Sequence, residues 1–474
     1  MIERSAEEAA RVADVTRLTR DFIQAEPFEA RPAGAATVPV LPGDEAFAQP
    51  SANMAFEREL DFFLGNSMFK KLWVSSPAST KASDGLGPLY NARSCQRCHI
   101  NDGRGHPPQD PKDVSMFLRL SVQGGDPGSM SGIDGYHVTQ PHPVYGDQLQ
   151  SLALPGHAPE YRLQIDYDLV PVPLAGGEQA ELRVPRYTVA DPGYGPMGDV
   201  MLSPRVAPQM IGLGLLEAIP AADILAHADP EDADGDGISG RPNIVWSLAQ
   251  QKPMLGRFGL KAGMPSIHQQ SLAAALDDIG LSSPLAPEPW GDCTAAQGGC
   301  RSAVHGDGDE RVHEIDAAGI ALLTFYSRNL AVPARRDVGD SQVLRGKQVF
   351  YDLGCTACHV PKFVTHRLDD QQPEQSFQLI WPYTDLLLHD MGEGLADHRP
   401  EARATGREWR TPPLWGIGLT RQVTGQQTYL HDGRARTLLE AVLWHGGEAQ
   451  PHRDAVVALT PEDRAALITF LESL

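Results

Sequence analysis

The sequence predicts a mainly α-helical protein built from two similar halves, the first of which carries a loop-rich insertion with short β-strands. Three features recur in the same order and predict this repeat. The pentapeptide Cys-x-x-Cys-His occurs at 95–99 and again at 355–359. A helix-like segment precedes each copy, and a segment with Arg, Pro and Gly-x-Gly-Leu follows each of them, at 205–220 and 410–420. An ordered set of elements that appears twice in one chain indicates an internal repeat.

The segments before the pentapeptides, LDFFLGNSMFKKLWV and LRGKQVFYDLG, each have a Gly one helical turn before a Phe. These residues are Gly65 and Phe69 in the first half, and Gly346 and Phe350 in the second. Residues four apart share a helix face, so each Gly predicts a close crossing with another helix. In the second half the expected partner is the terminal segment, TPEDRAALITFLESL, which begins with the capping signals Thr460, Pro461 and Asp463 and carries an apolar stripe.

Six cysteines form three pairs in the sequence, and two of the pairs belong to the pentapeptides. A zinc site needs four ligands, usually from a second nearby pair, and a thioredoxin-like motif has no use for a His directly after the second Cys. Attachment of a c-type haem uses all three groups, because the thiols bond to the haem vinyl groups and the His binds iron. We therefore predict two covalently attached haems c and two cytochrome-c-like haem domains. The attaching residues are Cys95, Cys98 and His99, and Cys355, Cys358 and His359.

Three regions are expected along the chain. Residues 1–45 form an N-terminal helix and a Pro/Ala/Gly linker, 46–330 form the N-terminal haem domain, and 331–474 form the C-terminal haem domain. The insertion lies at about 105–200, where alternating apolar residues in EYRLQIDYDLVPVPL and ELRVPRYTV predict a small hairpin.

Composition and cysteine use indicate where the protein works. A net charge of −21 argues against a nucleic-acid partner, and no apolar run has the length of a membrane span. The opening MIERSAEEAARVADVTRLTRDF is a charged helical pattern rather than a signal peptide. Covalent haem attachment takes place outside the bacterial cytoplasm, and Cys293 and Cys300, which bracket a short loop, predict a disulfide that needs an oxidising compartment. We expect a periplasmic protein whose leader lies outside the given residues.

Several longer motifs resemble one known family. They are DGLGPLYNARSCQRCHINDGRGHPP, SPRVAPQMIGLGLLEAIP, DADGDGISGRPN, YTDLLLHDMGEGLAD, EWRTPPLWGIGLT and YLHDGRARTLLEAVLWHGGEA. Together they resemble the bacterial di-haem c-type oxidoreductases, which are related to the di-haem cytochrome c peroxidases and to the di-haem enzyme that matures tryptophan tryptophylquinone. The resemblance implies two cytochrome c domains whose haems face a shared interface. It also implies a tryptophan between the haems, for which Trp246 is the first choice.

The sixth ligand of each iron decides whether that haem transfers electrons or also binds a small oxidant. For the C-terminal haem we predict His445, at the place where the related peroxidases have Met and the quinone-maturing enzyme has Tyr; Met391 is the alternative. No ligand stands out for the N-terminal haem, so we predict that one side of it is open. Glu217, a carboxylate in an apolar run, is the predicted catalytic proton carrier. The competing interpretation is a buried ion pair with an arginine such as Arg205.

The stretch DADGDGISGRPN places Asp232, Asp234 and Asp236 at alternate positions before Gly237. This spacing matches the first part of a calcium-binding loop. Asn243 stands where a bidentate Glu is expected, which predicts a weaker site. The interdomain calcium of the related peroxidases supports a structural calcium here.

These observations predict a periplasmic di-haem c oxidoreductase that reduces hydrogen peroxide. Electrons would come from a small cytochrome c or cupredoxin, enter at the C-terminal haem and pass to the N-terminal one. Two alternatives remain: an electron carrier or redox sensor in which both irons have six ligands, and a di-haem oxidase of a protein or organic substrate.

Overall fold

The structure is a computed structural model that describes residues 3–110, 112–126, 130, 132–306, 312–368 and 372–474. In chain order its α-helices are α1 (Ala6–Thr16), α2 (Phe56–Lys70), α3 (Cys95–Cys98), α4 (Leu213–Glu217), α5 (Ala221–Leu225), α6 (Ile267–Ile279), α7 (Gly298–Arg301), α8 (Ala317–Asn329), α9 (Ser341–Asp352), α10 (Thr420–Thr424), α11 (Leu438–Leu443), α12 (Gln450–Ala458) and α13 (Pro461–Ser473). Its strands are β1 (Leu89–Tyr90), β2 (Met116–Gln123), β3 (Thr139–Gln140), β4 (Gln148–Leu149), β5 (Leu152–Ala153), β6 (Arg162–Pro173), β7 (Gln179–Ala190), β8 (Met201–Val206), β9 (Ile244–Ser247), β10 (Lys252–Leu255), β11 (Phe363–Val364), β12 (Leu379–Ile380), β13 (Leu388–Asp390) and β14 (Glu408–Arg410).

The predicted fold class was wrong. Only 32% of the chain is helical and 18% is in strands, which form several small sheets, so the protein is not a mainly α pair of cytochrome c domains. The recurring motifs predicted the helix crossing next to each pentapeptide, but much of the chain between them forms strands and long irregular connections. Short strands that pair with distant segments leave little local periodicity in a sequence, and this is why their number was underestimated.

Two helix crossings that the Gly-x-x-x-Phe pattern predicted are confirmed. In α2 the Gly65 backbone packs directly on the Leu322 carbonyl of α8, and in α9 the Gly346 backbone packs on the Ala466 carbonyl of α13. A side chain at either glycine would collide with the partner backbone. The crossings hold each helix that leads into a pentapeptide against a buried partner.

The terminal helix begins as its capping signals predict. The Thr460 side chain accepts a hydrogen bond from the Asp463 backbone N–H at 3.2 Å, and Pro461 occupies the first turn. The Thr460 oxygen thereby satisfies one of the backbone donors that a helix start leaves free. The start of α13 is therefore fixed locally, and its buried face is free to cross α9.

The insertion has two β-structures. The central strand β2 pairs antiparallel with β3, β4 and β8, and strands β6 and β7 pair over their full length, from Arg162 with Ala190 to Pro173 with Gln179. The hairpin predicted in this region is therefore confirmed. It packs on the C-terminal half, where the Arg183 guanidinium donates to the Arg434 carbonyl at 3.0 Å.

The N-terminal linker is part of the main hydrophobic core. Ala33 and Phe47 are fully buried there, together with Ile211 and Trp415 from segments far along the chain. The division at 45 and 330 stays a prediction. No helix in the described parts of the chain is long and apolar enough to cross a membrane.

Candidate functional site

One large cavity receives both pentapeptides. Its volume is about 420 Å³, and its lining is mostly apolar. His445 lines it, and so do all six predicted attachment residues, which are Cys95, Cys98, His99, Cys355, Cys358 and His359. Residues more than 250 positions apart in the sequence therefore meet in a single chamber.

The two histidines of the pentapeptides have the same surroundings. The ring Nδ1 of His99 donates to the Pro208 carbonyl at 2.7 Å, and that of His359 donates to the Tyr383 carbonyl at 3.0 Å. Each ring centroid lies 6.1 Å from that of the Phe four residues after the crossing Gly, which is Phe69 or Phe350. Burial lowers the pKa of both histidines to about 4. Each ring is thus neutral, fixed in one tautomer, and has Nε2 available for a metal.

The four pentapeptide cysteines form no disulfides. Burial raises the pKa of Cys95 and of Cys355 to about 12, so both groups stay protonated near neutral pH. An apolar chamber with paired thiols next to a neutral imidazole matches the donor set that holds a c-type haem.

Three buried arginines give a second test of the fit. Arg104, Arg257 and Arg410 line the cavity, and none of them has an ion-pair partner among the described residues. Burial lowers the pKa of each to about 10, and the Arg104 Nε has no hydrogen-bond partner. Unpaired buried cations are costly. Carboxylates of a bound group, such as haem propionates, would neutralise them, so the chamber fits haem.

His445 lines the same cavity as His359. It follows directly on the short helix α11, its Nδ1 donates to the Ala441 carbonyl at 2.8 Å, and its ring influences the titration of His359. Burial lowers the pKa of His445, so its Nε2 is also free to bind a metal. Met391, the alternative ligand, lines the same cavity.

In the first half, α6 begins with the same type of cap as α11. Ser266 caps α6 and Thr437 caps α11, each by accepting from the backbone N–H three residues later. Ala274 and His445 lie at the same number of residues after these caps, Ala274 within α6 and His445 beyond the end of α11, and both line the cavity. The described histidines of the insertion do not line the cavity; they are His106, His137, His142 and His157.

Glu217 is not among the described residues that line the cavity. Its carboxylate pairs with Arg328 at 2.9 Å and accepts the Ile267 backbone N–H at 2.9 Å. Arg205 pairs instead with Glu401 at 2.7 Å. The catalytic role of Glu217 stays a prediction. Its observed contacts stabilise the start of α6.

The Asp-rich loop gathers a slightly different set of carboxylates from the predicted one. Oxygens of Asp229, Asp232 and Asp234 lie within 4.8 Å of one another, whereas Asp236 accepts the Ile238 backbone N–H at 2.8 Å. Asn243 is buried away from the loop, and its amide donates to the Lys261 carbonyl at 2.7 Å.

The sequence did not single out Trp409, the tryptophan that lines the cavity among the described residues. The Trp409 indole stacks on the His431 ring, with the ring centroids 3.9 Å apart. The Lys261 ammonium lies 4.5 Å from the centroid of the same indole. Both Trp409 and His431 line the chamber, and Trp246 does not. Trp409 and His431 fall within two of the quoted motifs, EWRTPPLWGIGLT and YLHDGRARTLLEAVLWHGGEA, so position in a motif was the signal available.

Comparison with known proteins agrees with this chemistry. The family described as "Di-haem oxidoreductase, putative peroxidase" matches residues 29–474. No curated protein is similar enough to count as a relative. Among solved structures, the hydrazine synthase of Kuenenia stuttgartiensis pressurised with 20 bar xenon is 20% identical, with a TM-score of 0.21. The match covers 33% of this chain and about half (55%) of that chain. With a family match over nearly its whole length, the chain belongs to the di-haem oxidoreductases, and haem is its cofactor.

Proposed function

We propose that the protein reduces hydrogen peroxide at the N-terminal haem with electrons relayed by the C-terminal haem. The observation that carries this proposal is the difference between two equivalent positions: His445 after α11 and Ala274 in α6. Histidine gives the C-terminal site a second strong ligand. Alanine has no ligand atom, which leaves room at the N-terminal site.

Haem supplies one-electron transfer and, where an axial side is open, binding of a small oxidant. The chain's own residues set the two sites apart. His359 and His445 would both be ligands of one iron, and His99 would be the ligand of the other. Arg104, Arg257 and Arg410 would neutralise propionates, and the apolar lining excludes bulk water. Both sites open into one chamber, which keeps the path for electrons short.

The donor we propose is a small periplasmic redox protein, a cytochrome c or a cupredoxin. Support for an oxidising compartment comes from Cys293 and Cys300, which the structure pairs with their Cα atoms 6.2 Å apart. We also propose a structural calcium ion at the Asp-rich loop, whose Ser239 hydroxyl donates to Glu448 at 2.7 Å and so connects the loop to the C-terminal half.

Electron paramagnetic resonance of the haem-loaded ferric protein tests whether the two haems differ in their ligands. We expect one high-spin and one low-spin haem, because one iron has an open side and the other has two imidazoles. Peroxide turnover with a reduced cytochrome should follow. Two low-spin signals in every redox state would contradict the proposal and favour an electron carrier. Turnover of a protein or organic substrate without peroxide reduction would contradict it in favour of an oxidase.

Replacing His445 by methionine should raise the reduction potential of the C-terminal haem by on the order of 0.1 V, within the ~0.8 V range that axial ligands span. Thioether sulfur stabilises ferrous iron better than a second imidazole does. A spectroelectrochemical titration measures the change. Met391→Leu is the matched control, since Met391 lines the same cavity. An unchanged potential in His445→Met, with a shift in Met391→Leu, would assign the ligand to Met391 instead.

A further inference from the structure

A cluster of buried and half-buried carboxyl groups lies beside the N-terminal pentapeptide. At its centre the Arg119 guanidinium pairs with Asp277 at 3.0 Å and lies 3.8 Å from Asp147. The Gln148 side chain donates to the Asp278 carboxylate at 2.6 Å and to the Asp277 backbone carbonyl at 3.1 Å. These residues come from β2, from the start of β4 and from the end of α6.

A fourth carboxylate completes the cluster. Asp292 accepts the backbone N–H groups of Asp147 at 2.9 Å and of Gln148 at 3.2 Å. The four carboxyl groups therefore form one network of contacts, in which Asp277 pairs with the Arg119 guanidinium. Like charges held this closely oppose one another's ionisation, which favours a bound proton within the cluster.

The cluster connects the haem chamber with the outside. Arg119 and Asp278 line the chamber. At the other end, 37% of the Asp147 side chain is exposed, and Asp147 is not among the described residues of the chamber lining. Inside the cluster, Oδ1 of Asp147 and Oε1 of Gln148 are buried without a hydrogen-bond partner. Buried acceptors of this kind are satisfied by a protonated carboxyl group or a water molecule, which are the species that carry protons.

The pKa shifts of these carboxyl groups also favour proton transfer through the cluster. Burial, with the neighbouring Asp147 carboxylate, raises the pKa of Asp277 to about 7, although Arg119 lowers it and Asp278 raises it further. Burial also raises the pKa of Asp278 and of Asp292. The other carboxylate of the chamber, Glu401, behaves differently, because Arg205, Arg399 and Arg119 hold its pKa well below its usual range despite its burial. Glu401 is therefore a fixed anion and a poor source of protons.

We infer that Asp147, Asp277, Asp278 and Asp292, arranged around Arg119 and Gln148, form the proton-delivery route from solvent to the N-terminal haem chamber. This inference rests on the proposed function. Reduction of one H2O2 to two H2O consumes two electrons, which the donor protein supplies, and two protons. The cluster releases protons into the chamber at Asp278 and recovers them from water at Asp147. Asp277 is the internal member that passes protons between these ends.

The test uses Asp277→Asn, which keeps the shape of the side chain and removes its proton, and Asp277→Glu, which restores a carboxyl group. Infrared spectra of the haem-loaded protein should show a protonated carboxyl band that disappears as pH rises through about 7, and this band should be absent from Asp277→Asn. In the loaded protein we expect peroxide turnover to fall about tenfold in Asp277→Asn, with loss of its pH dependence near 7, and to recover in Asp277→Glu. Asp61→Asn, which removes an exposed charge from α2, serves as the control.

Proton uptake during chemical reduction without peroxide separates this inference from the proposed function. Wild-type protein should take up protons between about pH 6 and 8, and Asp277→Asn should take up at most half as many. If no variant reduces peroxide but this difference remains, the relay stands and the proposed reaction fails. If wild type reduces peroxide, and Asp277→Asn keeps its pH profile, proton uptake and infrared band, the relay is overturned.

A raised folded-state pKa of Asp277 also predicts that wild type loses stability as pH rises from about 4 to about 7, and that Asp277→Asn does not.

Discussion

Replacing Ala274 by histidine is expected to convert the N-terminal haem to a low-spin, six-coordinate state and to lower peroxide turnover by about 100-fold or more. Ala274 lines the chamber at the position of α6 that corresponds to His445, so an imidazole there can reach the side of the iron that is otherwise open. A bound imidazole competes with the oxidant for the same site. A loss of 100-fold corresponds to about 2.7 kcal/mol in the activation free energy.

The matched control is Ala273→His, one position earlier on the same helix, because Ala273 is not among the described residues of the chamber lining. This variant should keep the high-spin signal and most of the turnover. Electron paramagnetic resonance and steady-state turnover measure the two effects separately. If Ala274→His keeps its high-spin signal and wild-type turnover, Ala274 does not face the iron, and the equivalence of the two helices is wrong.

Replacing Gly346 by alanine is expected to lower the free energy of unfolding by about 3 kcal/mol. A methyl group at 346 would collide with the Ala466 carbonyl and with Phe470 across the α9–α13 crossing. Backbone atoms form the main obstacle, so the two helices have to move apart. Buried residues of both helices, among them Val343 and Leu467, would lose packing.

Chemical denaturation of the loaded protein measures this change. Gly339→Ala is the control, because a methyl group there meets no atom within 4 Å, and it should leave the free energy of unfolding within about 0.5 kcal/mol of wild type. Equal stability of Gly346→Ala and Gly339→Ala would show that the crossing is looser than its contacts indicate. Gly65→Ala should behave like Gly346→Ala, since Gly65 packs on the Leu322 carbonyl in the same way.

Local sequence patterns determined much of the site. The spacing within Cys-x-x-Cys-His is enough to predict the attachment residues, because all three groups must lie on one helical turn. The Gly-x-x-x-Phe pattern predicted both helix crossings, because a missing side chain has a direct steric consequence. Alternating apolar residues predicted the β6–β7 hairpin. In each case the physical cause acts over a few neighbouring residues.

The fold class and the polar contacts depended on tertiary structure. The mainly α prediction was wrong because short strands gain their stability from partners distant in sequence, as β2 does from β8. Glu217 has an apolar sequence context, yet its contacts are Arg328 and the start of α6. Nothing in the sequence near Arg119 indicates that Asp147 and Asp277 will surround it.

The sequence by itself thus determined which groups can hold the two haems, because covalent spacing sets that chemistry. Only the tertiary structure decided that both sites share one chamber, that Ala274 and His445 both line it, and which carboxyl groups lie together. Charge interactions depend on distance in space and on burial, and neither quantity follows from distance along the chain.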